Sequence, residues 1–127
     1  MSEFEPIIKN EQNQTPIPSA WRSVFSDIVH VLKNGDLRFV GSIDGVRPVS
    51  SEKASQITAS IKKYGANLVD LPEETWLTSA CQWMGNRWDV LVDLYTEEEG
   101  VSDLVLEAHV FEQGTRQVFE VRFVYVR

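Results

Sequence analysis

The sequence predicts an α+β domain in which two N-terminal helices pack on a curved antiparallel β-meander. Three observations lead there. Between residues 75 and 127, three segments place apolar side chains at every second position, the repeat of strands with one covered face. Glycine-containing turns separate those segments. Upstream, two segments repeat apolar residues at helical spacing, and they supply the cover.

Residues 1–17, with Pro16 and several Glu, Asn, Gln and Thr, lack periodicity and read as a mostly flexible N-terminal arm, with Phe4, Ile7 and Ile8 as its docking candidates. A single domain follows over residues 18–127. The first helix is expected over Ser19–Lys33, with Ser19 as its N-cap. Trp21, Val24, Phe25, Ile28, Val29 and Leu32 form one stripe, and Asn34-Gly35 supplies a left-handed stop. Asp36–Gly41 reads as a short strand with Leu37 and Phe39 on one side. Asp44-Gly45 marks a turn-rich connection. A second helix begins near Ser50 or Ser51 and ends at Tyr64-Gly65, with Ile57, Ile61 and Tyr64 as its apolar edge.

In the second half, Trp88, Val90, Val92 and Leu94 alternate with polar residues. Leu104, Leu106, Ala108 and Val110 do the same, as do Phe119, Val121, Phe123 and Tyr125. Met84-Gly85-Asn86 and Gln113-Gly114-Thr115 are the expected hairpin turns, and Thr96–Ser102 a longer acidic connection.

Composition narrows the function. The net charge of -7 is concentrated late: residues 1–72 hold eight acids and eight bases, residues 73–127 eleven acids and four arginines. A contact with nucleic acid phosphates needs a basic stripe, so direct nucleic-acid binding is not expected. An acidic surface suits a basic protein partner. The lone Cys81 offers no disulfide framework and reads as a buried structural thiol in a reducing compartment. The N-terminus lacks the basic and apolar regions of a secretion signal, and no apolar run is long enough to span a bilayer. A soluble cytoplasmic protein is therefore expected, without a membrane partner.

No catalytic or metal-binding motif stands out. Glu97, Glu98, Glu99 and Asp103 lack the alternating oxygen ligands and central glycine of a calcium loop. His30 and His109 have no histidine or cysteine at ligand spacing. There is no phosphate-binding glycine loop and no nucleophile elbow. Asp89, Asp93, Glu107, His109, Glu120 and Arg122 share one face if the meander register holds, but that face is expected to meet water. A binding role without chemistry, cofactor or metal is the expectation. Trp76, Trp83 and Trp88 cluster about the first hairpin, with Tyr95 before the acidic run; core packing and partner binding both use such residues.

The run Trp88-Asp89-Val90-Leu91-Val92-Asp93-Leu94-Tyr95-Thr96, continued by Glu98-Glu99-Gly100-Val101-Ser102-Asp103-Leu104-Val105-Leu106-Glu107, resembles a family of small bacterial domains of unknown function. Pro18-Ser19-Ala20-Trp21 and Leu71-Pro72-Glu73-Glu74-Thr75-Trp76 are similar to it too. By size, acidity and fold type, the chain also resembles immunity proteins of contact-dependent growth inhibition and related polymorphic-toxin systems. That second resemblance implies a protein that binds and neutralises a cognate toxin domain, often a nuclease, by occluding its basic cleft. The contact residues expected for such a role are Asp89, Asp93, Tyr95, Glu97, Glu98, Glu99, Asp103, Glu107 and Glu120. The alternative is a curved-sheet module that encloses a small ligand between helices and sheet, with or without catalysis. A subunit that dimerises through a sheet edge is a third reading.

Overall fold

The alternating second half builds an antiparallel sheet. A computed structural model describes residues 7–35 and 37–127. In chain order its elements are β1 (Thr15–Pro16), α1 (Ser19–Asn34), a 3-10 turn at Leu37–Ser42, α2 (Ser51–Tyr64), a second 3-10 turn at Glu73–Leu77, β2 (Ala80–Trp83), β3 (Trp88–Thr96), β4 (Gly100–Gln113) and β5 (Arg116–Val126). The strands lie side by side in sequence order, each antiparallel to the next. The α+β class therefore holds.

One face of the sheet is dry. Trp88, Val90, Val92, Leu94, Leu104, Leu106, Ala108 and Val110 are fully buried. Trp21 of α1 meets Trp88 edge-on at a centroid distance of 5.2 Å, and Phe25 meets Phe119 at 5.5 Å. Such pairs contribute about 0.5–1.5 kcal/mol each beyond the area they bury. Trp21, Phe25 and Ile28 are themselves fully buried, so the space under α1 is filled by the protein's own side chains. Ile57 anchors α2, while Ile61 and Tyr64 pack on the rim of the core. Gly35 and Gly65 end the two helices at φ of +80° and +85°, where a side chain would be strained.

Several expectations are corrected. Asp36–Gly41 is not a strand: Leu37–Ser42 forms a 3-10 turn that buries Leu37 and Val40, three residues apart, on one side. Asp36 itself lies outside the described residues. Pro18, not Ser19, occupies the N-cap of α1, and its carbonyl accepts the Trp21 amide at 2.9 Å. Ser50 does cap α2, accepting from the Lys53 amide. The meander begins at Ala80, because Thr75 and Trp76 are buried in a 3-10 turn. The acidic connection is a tight three-residue turn between Thr96 and Gly100. The arm expected over residues 1–17 contributes β1 to the sheet and a fully buried Ile17 to the core. Phe4 lies outside the described residues.

The largest departure is in β5. Glu107 pairs with Phe123 but Ala108 pairs with Val121, so Arg122 is an extra residue that bulges out of the ladder. The alternation changes phase there. Phe119 and Val121 point into the core, as expected; beyond the bulge Val124 is buried, whereas Phe123 and Tyr125 emerge on the opposite face at 39% and 37% exposure.

Both sheet edges carry partial cover. Gly45 and Arg47 exchange backbone hydrogen bonds with Phe119 on the free side of β5, and the Lys53 ammonium donates to the Val121 carbonyl. β1 pairs with the first half of β2. Covered edges resist pairing with another chain.

Candidate partner-binding face

Register decides which of the expected contact residues meet. Asp89 pairs with His109, and His109 with Glu120, so these three form a row across β3, β4 and β5 on the face opposite the core. Arginines fill the gaps around that row. Arg87 Nε donates to Asp89 Oδ1 at 3.0 Å, while Arg122 and Arg47 donate to the two oxygens of Glu120 at 3.1 and 3.0 Å. The Arg47 guanidinium also lies over the Phe111 ring at 4.6 Å. Burial raises the Glu120 pKa, but its hydrogen bonds from Arg47 and Arg122 outweigh this and hold it below the ordinary value.

His109 sits in the middle of the row, its side chain only 14% exposed. Nε2 is 3.2 Å from Asp89 and Nδ1 3.8 Å from Glu120. Burial is the main reason its pKa falls; Asp89 pulls it up, Arg87 and Arg122 push it down, and Glu120 pulls it up. The imidazole is thus neutral at neutral pH, between two carboxylates already paired with guanidinium groups. Chemically this row is a polar brace across three strands, with little net negative charge to offer a basic partner.

Asp93 is treated similarly. It is buried at 8% exposure, and Arg127 donates to it at 3.2 Å. Thr75 and Ser79 hydrogen-bond the backbone on either side of the same residue. Tyr95, two residues on, is half-buried; burial, with Glu74 and Asp93 nearby, raises its pKa. Glu107 is half-exposed between Leu91 and Phe123 in the ladder.

The acidic turn is different. Glu97, Glu98, Glu99 and Asp103 are all exposed, and neutral groups hold three of them in place. Asn67 donates its amide to Glu98 at 3.0 Å and its side-chain NH2 at 3.2 Å. The Tyr64 hydroxyl faces both oxygens of Glu99, at 2.7 and 2.8 Å, and accepts the Asp103 amide at 3.2 Å. The hydrogen bond from the Asp103 amide pulls the phenol's pKa down, while the Glu99 hydrogen bond, burial and the charges of Glu99 and Asp103 push it up, with a net rise. Inside the turn, Thr96 Oγ1 accepts the Glu99 amide. The Glu97 amide donates to the Asn67 carbonyl, leaving its carboxylate exposed. Hydrogen bonds from asparagine and tyrosine orient the Glu98 and Glu99 carboxylates without neutralising them, and the Asp103 amide ties that residue to the same phenol. The turn is a fixed acidic knob at the C-terminal end of α2.

The nine expected residues therefore do not make one patch. Asp89 and Glu97 stand eight positions apart along β3 and the turn, about 25 Å at strand rise. Asp89, Asp93 and Glu120 are neutralised by arginines, whereas Glu97, Glu98, Glu99 and Asp103 keep their charge together. Sequence reasoning missed the bracing roles of Arg47, Arg87 and Arg127 and the anchors Tyr64 and Asn67. Glu120 and Arg122 are two residues apart along β5, and Arg87 stands in the hairpin turn two residues before Asp89. That spacing was a readable signal of same-face pairing; no local signal joins Arg47 to Glu120. Phe123 and Tyr125 lie on the face opposite to the expected one because the bulge leaves no signature in the alternation.

Among the described residues, no three carboxylate, imidazole or thiol groups form a cluster suited to a metal ion. None of the described helices is long and apolar enough to cross a membrane. Cys81 is buried against Thr15 and the Pro16 carbonyl, and burial raises its pKa.

These features define a small α+β domain with a braced, solvent-facing sheet surface and an acidic knob at one end. Residues 29–127 match the family described as a domain of unknown function, DUF7668, and the chain belongs to that family. No curated protein and no solved structure matches the chain.

Proposed function

We propose that this chain is a non-enzymatic binding protein of the immunity type, which docks on a cognate bacterial toxin domain, a nuclease, and occludes its basic substrate cleft. The observation that carries the reading is the acidic knob. Glu97, Glu98, Glu99 and Asp103 are exposed together, and Tyr64 and Asn67 hold the turn in one conformation. A preordered cluster of like charge loses little conformational freedom on binding and steers a basic partner toward it.

In this reading α1 and α2 cover one side of a curved sheet, as the contacts of Trp21 and Phe25 support, and leave the acidic end free for the partner. The protein acts in the cytoplasm, by steric and electrostatic blockade, with no cofactor. Asp89, Asp93 and Glu120 maintain the sheet surface instead of contacting the toxin. Tyr95 and Glu107 stay within the proposed contact region as its half-buried margin.

The test uses the full chain and a basic toxin domain encoded beside its gene. A variant combining Glu97→Gln, Glu98→Gln, Glu99→Gln and Asp103→Asn removes the charge while keeping oxygens to accept from Tyr64 and Asn67. Surface-plasmon kinetics should show association slowed by about tenfold or more at low salt, with a flattened salt dependence. Circular dichroism should be unchanged. An unaltered association rate with a folded variant would remove the knob from the interface.

A further inference from the structure

The N-terminal segment lies against polar groups that meet its backbone: residues 7–10 run without regular structure, and at 11–13 the chain bends, with Asn10 Oδ1 accepting the Gln12 and Asn13 amides. Trp88 Nε1 donates to the Ile8 carbonyl at 3.1 Å, and Gln82 Nε2 donates to the Glu11 carbonyl at 2.7 Å. Between these two anchors, Lys9 projects its ammonium 4.8 Å from the Trp83 ring centroid and 5.9 Å from that of Trp88. The same ammonium is 2.6 Å from Glu112 Oε1. Trp83 and Trp88 stand 4.5 Å apart at 59°, so two indole rings and one carboxylate converge on a single cation. Two side-chain donors spaced to meet carbonyls three residues apart, with a cation site between, recognise backbone and one side chain together.

Ile7 packs on the rim of the core, but the ionic hold on the segment is light. Lys9 and Glu112 are 45% and 39% exposed, and a pair so open to water is weak. Among the described residues of the segment, Thr15 and Pro16 alone are paired in the sheet. Gln82, Trp83, Trp88 and Glu112 all fall within the region that defines the family, residues 29–127, whereas the residues that occupy the groove precede it.

We infer that residues 7–12 are a resident occupant of a peptide groove formed by Gln82, Trp83, Trp88 and Glu112, which accepts a lysine-bearing segment of a partner protein once the resident lifts. A tethered occupant competes at an effective concentration of the order of millimolar, so it blocks weak ligands and yields to stronger ones. The inference stands apart from the acidic knob and does not need the partner to be a toxin.

The experiment follows the Trp88 indole N–H by NMR in the full chain. Lys9→Glu sets a carboxylate against Glu112 and removes the cation from the rings. The indole proton should shift and exchange faster with solvent. Adding Glu112→Lys to that variant should restore the parent signal, which a merely local packing change would not do. A peptide of residues 7–12 added to the Lys9→Glu protein should bind and restore the signal, about tenfold better than the same peptide with lysine replaced by glutamate. The inference is overturned if Lys9→Glu leaves the indole proton unchanged, or if the two peptides bind alike. It is also overturned in favour of a second copy of this chain if the parent protein dimerises by exchanging the segments, seen as a concentration-dependent dimer that Lys9→Glu abolishes.

Discussion

Tyr64 and Glu99 meet at 2.7 Å across 35 residues of sequence, the last residue of α2 donating its phenolic hydrogen to the turn between β3 and β4. The same phenol oxygen accepts the Asp103 amide. One side chain thereby ties the acidic knob to the helix. Tyr64→Phe removes both hydrogen bonds and keeps the ring that packs on the core rim. The expected outcome is faster hydrogen exchange at the Asp103 amide, with the thermal midpoint lowered by no more than about 4 °C. Unchanged exchange at Asp103 would show that the phenol does not hold the turn.

His109 makes stability depend on pH in a stated direction. Its folded pKa lies below the ordinary 6.5, chiefly through burial. The unfolded chain therefore takes up this proton at a higher pH than the folded chain does. The stability contribution is complete above pH 6.5, declines as pH falls below it, and levels off beneath the folded pKa. Glu120, and Asp70, which is hydrogen-bonded to His30 at 2.9 Å and accepts from Lys33 at 3.1 Å, have pKa values below the ordinary 4.5 and 3.8 and lose their contributions only at more acidic pH. Thermal melts at about pH 7.5 and about pH 5.5 should differ in the parent and differ less in His109→Gln.

The bulge at Arg122 predicts opposite sensitivities for adjacent residues. Val124 is 2% exposed, so Val124→Asp should cost more than about 3 kcal/mol in urea melts. Phe123 is 39% exposed, its ring near Lys53 and Arg122, and Phe123→Asp should cost no more than about 1 kcal/mol. Uninterrupted alternation along β5 requires the reverse order, which makes the pair decisive.

Ile17 tests where the folded unit begins. It is fully buried in the core, and its carbonyl accepts Arg22 Nε at 3.2 Å. Ile17→Ala should destabilise by about 2–5 kcal/mol, a typical cost for emptying a core site. A loss below about 0.5 kcal/mol would return this residue to a dispensable arm.

By itself the sequence determined the elements whose cause is local. The stripe from Trp21 to Leu32 and the Asn34-Gly35 stop specify α1, and Ser50 and Gly65 bracket α2. Alternation from Trp88 to Leu94 and from Leu104 to Val110 specifies two strands and the face each buries. Those patterns repeat over a few residues, so a short window contains all the information needed. The tertiary structure decided what depends on distant partners. Leu37 and Val40 read as strand until α1 and α2 surround them as a 3-10 turn, and Thr15–Pro16 reads as arm until β2 offers an edge. Arg122 shifts the face of every later residue in β5 because the ladder with β4 absorbs one extra residue. Asp89, Asp93 and Glu120 look like an acidic surface in the sequence, and Arg47, Arg87, Arg122 and Arg127 neutralise them in the fold. Whether a carboxylate is available to a partner depends on which cation lies within about 4 Å of it, and only the folded chain sets that distance.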